Sequence, residues 1–382
     1  MDSRISDQIQ MLPRTYKEDQ AYRTDDSEPC SRSENIVFKA DSSKWHVRVT
    51  FRGQIGITKR SGLLKRRKNL EAFISMVDFH LLPLIPDTVS ELVIEQASYS
   101  AKLPLNPGHN PESSDSLDAD WTYIIQEDVA RVRYPNYENN SNLPAMILTD
   151  IEETEQLSNN VFLITKKDEA TNFIYKTVDH PFNEPNHTTM FERELHNLQL
   201  YQDSPSMVQL IAVVKAPSPY QTTTTPSEQD HNVIYGMVLE YHPNGTLEDA
   251  ITRRDGKGVA WKSWPRQLAR ALLRLHDSCI THMDVAPRNA VIDASNGAVW
   301  IDIGVGYTYE NLAPELRDDS SPLDASFEVR CRSDWWAFGK LLVELASIED
   351  GGFSDILRDI GGGLCLGNFE ERLGICDAIQ QL

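Results

Sequence analysis

The chain has 382 residues, 40% hydrophobic and 25% charged, with 37 Lys+Arg against 57 Asp+Glu and a formal net charge of −20. That length accommodates about two domains of ordinary size, and the apolar fraction excludes wholesale disorder. The charge excludes a generic nucleic-acid binder, which needs a basic surface, and no run approaches the roughly 20 apolar residues of a membrane-spanning helix.

Residues 1–40 are polar and aperiodic, and are expected to form a mobile tail. The start has no apolar stretch of signal-peptide type. The five cysteines are scattered and form no CxxC pair, so the expected setting is intracellular, cytoplasmic or nuclear, with reduced thiols. From Trp45 the pattern alternates: WHVRVTF and QIGITKR suggest a hairpin. KRSGLLKRRK (59–68) is the one concentrated basic stretch, expected to be a solvated face. NLEAFISMVDFHLLPLIP has helical spacing in its first half and is then broken by Pro83 and Pro86. Residues 103–120 have the composition of a linker, and WTYIIQEDVARVRYPN suggests another strand pair. Together, 41–145 form a small mixed α/β extension of unknown role.

Further on the order is more regular. NVFLIT and FIYKTV are expected strands around a polar turn. TTMFERELHNLQLY has a helical period, with Thr188 or Thr189 available as a cap. MVQLIAVV and NVIYGMVLEY are two more strands, separated by a Pro/Thr/Ser-rich insertion that belongs on the surface. A second helical pattern follows in WPRQLARALLRLHD. Strands with one helix, then mostly helices, define an α+β arrangement of two lobes with a cleft between them. The acidity concentrates here: residues 151–382 hold 19 basic and 35 acidic residues, a net of −16.

The chemical signal is HMDVAPRNAVIDASNGAVWIDIG, residues 282–304. Asn296-Gly297 between two apolar runs is a strong hairpin signal. Such a hairpin brings Asn289 and Asp302, at its open ends, beside Asp284. Two carboxylates and an amide oxygen are hard ligands suited to Mg²⁺ with bound phosphates. His276, Cys279 and His282 have a spacing reminiscent of zinc ligands but lack a nearby fourth.

These residues resemble the eukaryotic protein kinase family. His282-Met283-Asp284 stands at its His-Arg-Asp triplet, Asn289 completes the D-x-x-x-x-N loop, and Asp302-Ile303-Gly304 stands at the Asp-Phe-Gly position. The resemblance places Lys176 as the strand lysine that holds the nucleotide's phosphates and Glu194 as its helix partner. It places Leu239, Glu240 and Tyr241 at the adenine-facing hinge and Val161 over the nucleotide. RSDWWAFGKLLVEL, with Asp334 and Gly339, resembles the helix that anchors the catalytic loop. It implies a bilobal kinase-like domain over 151–382, with an N-lobe at 151–241 and a shortened C-lobe at 242–382. It further implies ATP and Mg²⁺ as cofactors, Asp284, Lys176 and Asn289 as catalytic residues, and Asn289 and Asp302 as metal ligands. The implied reaction moves the γ-phosphate to a hydroxyl of a protein substrate, Ser/Thr rather than Tyr, with neither nucleic acid nor membrane as partner. A pseudokinase scaffold and a small-molecule kinase of aminoglycoside-phosphotransferase type are the alternatives.

Four departures from the pattern stand out. IEETEQLSNN has no glycine where the family has G-x-G-x-x-G, and Met283 replaces the Arg that reads an activation-loop phosphate. The segment from Asp302 to Ala313-Pro314-Glu315 is only 14 residues long, and 48 residues follow Asp334. Arg288, four after Asp284, stands where some tyrosine kinases carry an Arg.

Overall fold

Two separate sheets organise the chain, each in its own unit: Met1–Arg131 with Pro217–Val233, and Val132–Ala216 with Ile234–Leu382. The computed structural model describes residues 8–19, 29–53, 62–96, 100–106, 121–138, 142–167, 169–179, 184, 186–223, 232–254 and 261–382.

The first unit carries β1 (Ile9–Met11), β2 (Lys17–Glu18), β3 (Ser31–Ala40), β4 (Ser43–Arg52), helix α1 (Leu63–Ile74), β5 (Val89–Glu95), β6 (Ala101–Lys102) and β7 (Thr122–Glu127). Its sheet runs β1-β3-β4-β5-β7-β6, with β2 on β3. Strand β4 pairs antiparallel with β3 and parallel with β5, with α1 in the crossover between β4 and β5. Phe51, Phe73 and Trp121 pack edge-on and tilted against one another in its core.

Several expectations change here. The polar segment before residue 40 is not all tail, because residues 31–40 form a central strand. Its polar look is misleading: Arg32 and Glu34 are fully buried, and Glu34 pairs with Arg67 at 2.9 Å. Arg66 pairs with Glu18 at 2.6 Å, so two of the four described basic residues of that run are structural rather than part of a solvated face. The hairpin partner QIGITKR, the linker at 107–120 and residues 224–231 of the insertion lie outside the described residues. The start of that insertion is held at Thr222, whose amide donates to Asp87 Oδ1 at 2.8 Å. After β7 the expected second strand does not form, and from Val132 the chain belongs to the second unit.

The second unit begins with β8 (Ala145–Ile147), β9 (Ile151–Ser158), β10 (Val161–Lys166), β11 (Asn172–Thr177), helix α2 (His187–Leu200), β12 (Leu210–Pro217) and β13 (Asn232–Glu240). The sheet order is β8-β12-β13-β11-β10-β9. Helix α2 starts two residues before the first expected cap: Asn186 is its N-cap, and the Thr188 hydroxyl donates to the carbonyl of Arg133.

The helical half holds α3 (Leu247–Arg253), α4 (Trp264–Asp277), the short hairpin β14 (Ala290–Ile292) and β15 (Ala298–Trp300), then α5 (Phe327–Leu345), α6 (Gly352–Leu364) and α7 (Ile375–Gln381). Thr246 and Asp249 form a capping box at the start of α3. Leu268, Leu272 and Leu275 turn one face of α4 inward, and Trp300 fills the space beneath, its indole donating to Leu268 O at 3.1 Å. Helices α5 and α6 touch through backbone: a Cβ on Gly339 would lie 2.9 Å from Gly361 O. Among the described residues no helix is long and apolar enough to cross a membrane.

Candidate active site

Strand register places the first functional groups. Val161 on β10 sits opposite Lys176 on β11, so both face one side of the sheet. Helix α2 presents Glu194 to that side. Lys176 Nζ lies 2.8 and 2.6 Å from the two Glu194 oxygens and 2.8 Å from Asp302 Oδ1. Burial opposes the charge on Lys176, but Asp302 and Glu194 outweigh it and hold its pKa above the ordinary lysine value. Lys176 in turn pulls the Asp302 carboxyl below the usual range against the cost of burial, while burial pushes Glu194 up. One cation thus ties a strand, a helix and a loop together.

Asp302 takes a left-handed backbone, φ 56°, and Gly304 follows at φ 72°. Asn197, one turn beyond Glu194 on the same face of α2, donates to Ile303 O at 2.9 Å. A Cβ on Gly304 would lie 2.8 Å from that Asn197 nitrogen, so only glycine admits the bond. Asn197 is a positioning residue the motifs did not reveal, since a lone helical amide has no spacing signature.

Asp284 sits in a dense donor set. Arg288 Nη2 lies 2.9 and 2.8 Å from its two oxygens, Asn289 Nδ2 2.8 Å from Oδ2, and Asn311 Nδ2 2.8 Å from Oδ1. Burial works against its ionisation, yet the Asn311 hydrogen bond and the Arg288 charge hold the carboxyl below its ordinary pKa. Asn289 also donates to Asp284 O at 2.7 Å. Both amide donors of Asn289 are therefore spent on Asp284. Among the described residues nothing bonds its Oδ1, which leaves an oxygen of the type magnesium takes.

The loop is fastened from below. Asp334 on α5, 1% exposed, accepts the amides of His282 at 2.8 Å and Met283 at 2.7 Å, and faces His276 Nε2 at 2.9 Å. His276 thus serves Asp334, and no metal-ligating cluster exists among the described residues. His282 is fully buried against Trp300, and burial lowers its pKa and keeps it neutral. Met283, at φ 64°, packs with Leu312 and Leu316 in a small apolar cluster. An apolar plug stands where an arginine would offer charge. The segment after Asp302 is held at its far end by Glu315, whose oxygens take Arg372 Nη1 and Nη2 at 2.7 and 2.8 Å.

Lys176, Glu194, Asp284, Asp302 and Val161 line one cavity of about 390 Å³, with Ser158 and Asn160 at its edge. Asn289 sits against Asp284. Leu239, Glu240 and Tyr241 do not line that cavity. Leu239 is buried in the core, and the Glu240 amide and carboxylate are both engaged by Gln209, at 3.2 and 3.0 Å. The β9–β10 connection is a two-residue turn, Asn159-Asn160, with Ser158 opposite Val161.

A lysine on a sheet paired to a helical glutamate, above an Asp–Asn loop anchored by a buried aspartate, defines a bilobal α+β fold of the kinase-like phosphotransferase class. The chain belongs to the protein kinase family: the protein kinase domain model matches residues 158–350, just over half of its length.

Among curated proteins, it is 29% identical over 133 residues to the L-type lectin-domain containing receptor kinase VI.2 of Arabidopsis thaliana, covering 28% of this chain and 18% of that one. It is 30% identical over 129 residues to a serine/threonine-protein kinase-like protein of the same plant, covering 29% and 27%. Against mitogen-activated protein kinase kinase kinase 17, also of Arabidopsis thaliana, it is 28% identical over 135 residues, covering 34% and 36%. The matches thus span 18 to 36% of the length of these relatives.

Proposed function

We propose that this chain is an ATP-dependent protein kinase that moves the γ-phosphate to a serine or threonine hydroxyl. The observation that carries the reading is Lys176, bound at once to Glu194 and Asp302 within 2.8 Å. That arrangement holds the ammonium extended into the cavity, where an α- or β-phosphate takes it as counterion. Similarity to a serine/threonine-protein kinase-like protein supports the acceptor class.

Phosphoryl transfer asks for alignment and charge cancellation more than for covalent help. Asp284, kept ionised by its donors, accepts a hydrogen bond from the incoming hydroxyl and points it at the phosphate. Asn289 Oδ1 and the Asp302 carboxylate are the oxygens that would hold magnesium. When bound, the ion neutralises the phosphate oxygens that the acidic cleft would otherwise repel. Leu239, Glu240 and Tyr241 are assigned to the adenine end and Val161 to its upper wall.

A second reading, a pseudokinase scaffold, is favoured by the glycine-free Asn159-Asn160 turn, which denies phosphate the close backbone approach that glycine permits. A thermal-shift titration with ATP and Mg²⁺ separates the two. Ligand at 100 times its Kd stabilises by about 2.7 kcal/mol in the intact protein, and Asp302→Ala removes the effect. No shift at millimolar nucleotide ends the enzyme reading. A metal-independent shift that survives Asp302→Ala transfers the assignment to the scaffold.

A further inference from the structure

Helix α4 carries a row of cations on its outer face. Lys262, in the turn before the helix, is followed by Arg266, Arg270 and Arg274, each four residues after the last. All four are exposed, and together with Pro205 and Leu382 they line an open cavity of about 400 Å³. Nothing in the proposed phosphotransfer uses this face.

The row is electrostatically unusual for this chain. Residues 151–382 carry a net of −16, yet four of their 19 basic side chains stand in one line. Between Trp261 and Ser278 the only carboxylate is Asp277. Among the described residues no carboxylate pairs with Arg266, Arg270 or Arg274; Lys262 reaches Glu349 at 3.7 Å, and Arg274 donates only to Pro205 O at 3.4 Å. Like charges at i,i+4 repel and destabilise the helix that bears them. A helix face whose three arginines have no carboxylate partner among the described residues is a surface for an external anion.

The spacing narrows the chemistry. Cations four residues apart on a helix are about 6 Å apart along its axis, so the row is about 18 Å long. In an extended peptide, alternate side chains share a face and repeat every ~6.6 Å. An extended segment with an acid at every second position therefore meets the row nearly in register. The acidity of the rest of the unit repels long polyanions such as nucleic acid. A concave groove suits a strand-like segment better than it suits a flat lipid surface. We propose that the outer face of α4 is a docking groove for a short, extended acidic segment of a partner protein, with carboxylates at alternate positions.

The test uses the full chain and a fluorescein-labelled peptide, (Glu-Thr)₄, read by fluorescence anisotropy at 50 and 200 mM salt. Saturable binding that weakens with salt, and at least a tenfold loss in the double variant Arg266→Glu with Arg270→Glu, is the expected result. The variant relieves repulsion along the helix, so its unfolding midpoint should not fall, which keeps a lost fold from passing as a lost site. Three results overturn the proposal: no binding, equal binding by the variant, or equal binding of a Glu₄Thr₄ peptide. Displacement of the peptide by phosphatidylserine vesicles or an oligonucleotide at matched charge concentration also overturns it, because the face then reads bulk charge alone.

Discussion

The catalytic loop around Asp284 and the β9–β10 tip at Ser158–Val161 edge the same cavity, but they are secured very differently. The loop is held through Asp334, Asn289, Asn311 and Arg288 by hydrogen bonds of 2.7–2.9 Å, of which the two to Asp334 are fully buried. The tip is a two-residue turn carried by β9, in which no residue is buried. The groups we assign to the moving phosphate are fixed by the packed helical half, whereas the tip is held by backbone pairing, including the Thr177 amide on Asn160 O at 2.8 Å. A poorly packed hairpin lies at the low end of local stability. Chemistry and nucleotide retention should therefore respond to separate mutations.

The largest expected effect is on the loop side. Asp284→Asn should lower phosphate transfer by about 10²–10⁴-fold, the range for a positioned acid–base group, while nucleotide-induced stabilisation persists. Parent-like turnover in a steady-state assay removes Asp284 from the mechanism. Next comes Lys176→Met, which leaves the buried Glu194 and the half-exposed Asp302 without their cation. Breaking a buried pair costs about 3–5 kcal/mol, to be read from urea unfolding, and nucleotide binding should fall with it. A loss under 1 kcal/mol would mean that the ion pair is not the tie described above.

Arg372→Ala should cost about 1–2 kcal/mol, because the Glu315 carboxylate is partly solvated, and should expose residues 302–316 to proteolysis. Its pH dependence has a definite sign. Although burial opposes its ionisation, the Arg372 hydrogen bond holds the Glu315 pKa below its ordinary value. The stabilisation is thus complete above the unfolded glutamate pKa of about 4.3 and is lost as pH falls through the depressed folded value. The gap between parent and variant should close in acid; a gap that widens there contradicts the clasp. The smallest effect belongs to the tip. Asn160→Gly should tighten nucleotide binding by roughly 2–5-fold if the missing glycine limits phosphate approach. Weaker binding would show that the Asn159-Asn160 turn is itself the better cover.

The site was legible where function fixes both residue type and spacing. Asp284, Asn289 and Asp302 are set by a loop and a hairpin announced by Asn296-Gly297, and the structure brings them together as the pattern implies. Lys176 and Glu194 were readable only through the family resemblance, which singled them out on a strand and a helix that each announce their period. Asn197 and Asn311 were not, since a single amide gains meaning only from what folds against it. Strand β3 was hidden for the opposite reason: buried ion pairs such as Glu34–Arg67 make a core strand look like a polar tail. The α4 row was missed because an i,i+4 series of cations does not register as local charge density. Ala313-Pro314-Glu315 was ambiguous as a tripeptide, and the Arg372 fork gives its glutamate a place.

That fork bears on how the molecule comes into being. The Glu315–Arg372 contact joins residues 57 positions apart. On a ribosome, which extends the chain from its N-terminus, every residue assigned above to phosphate is synthesised before the residue that clasps the segment leading away from Asp302. A nascent chain can therefore assemble the Lys176–Glu194–Asp302 tie and the Asp334 anchor while that segment is still loose. Closing so long a loop carries an entropic cost that grows only slowly with length, so the late clasp remains affordable. The order of synthesis thus separates building the site from latching it.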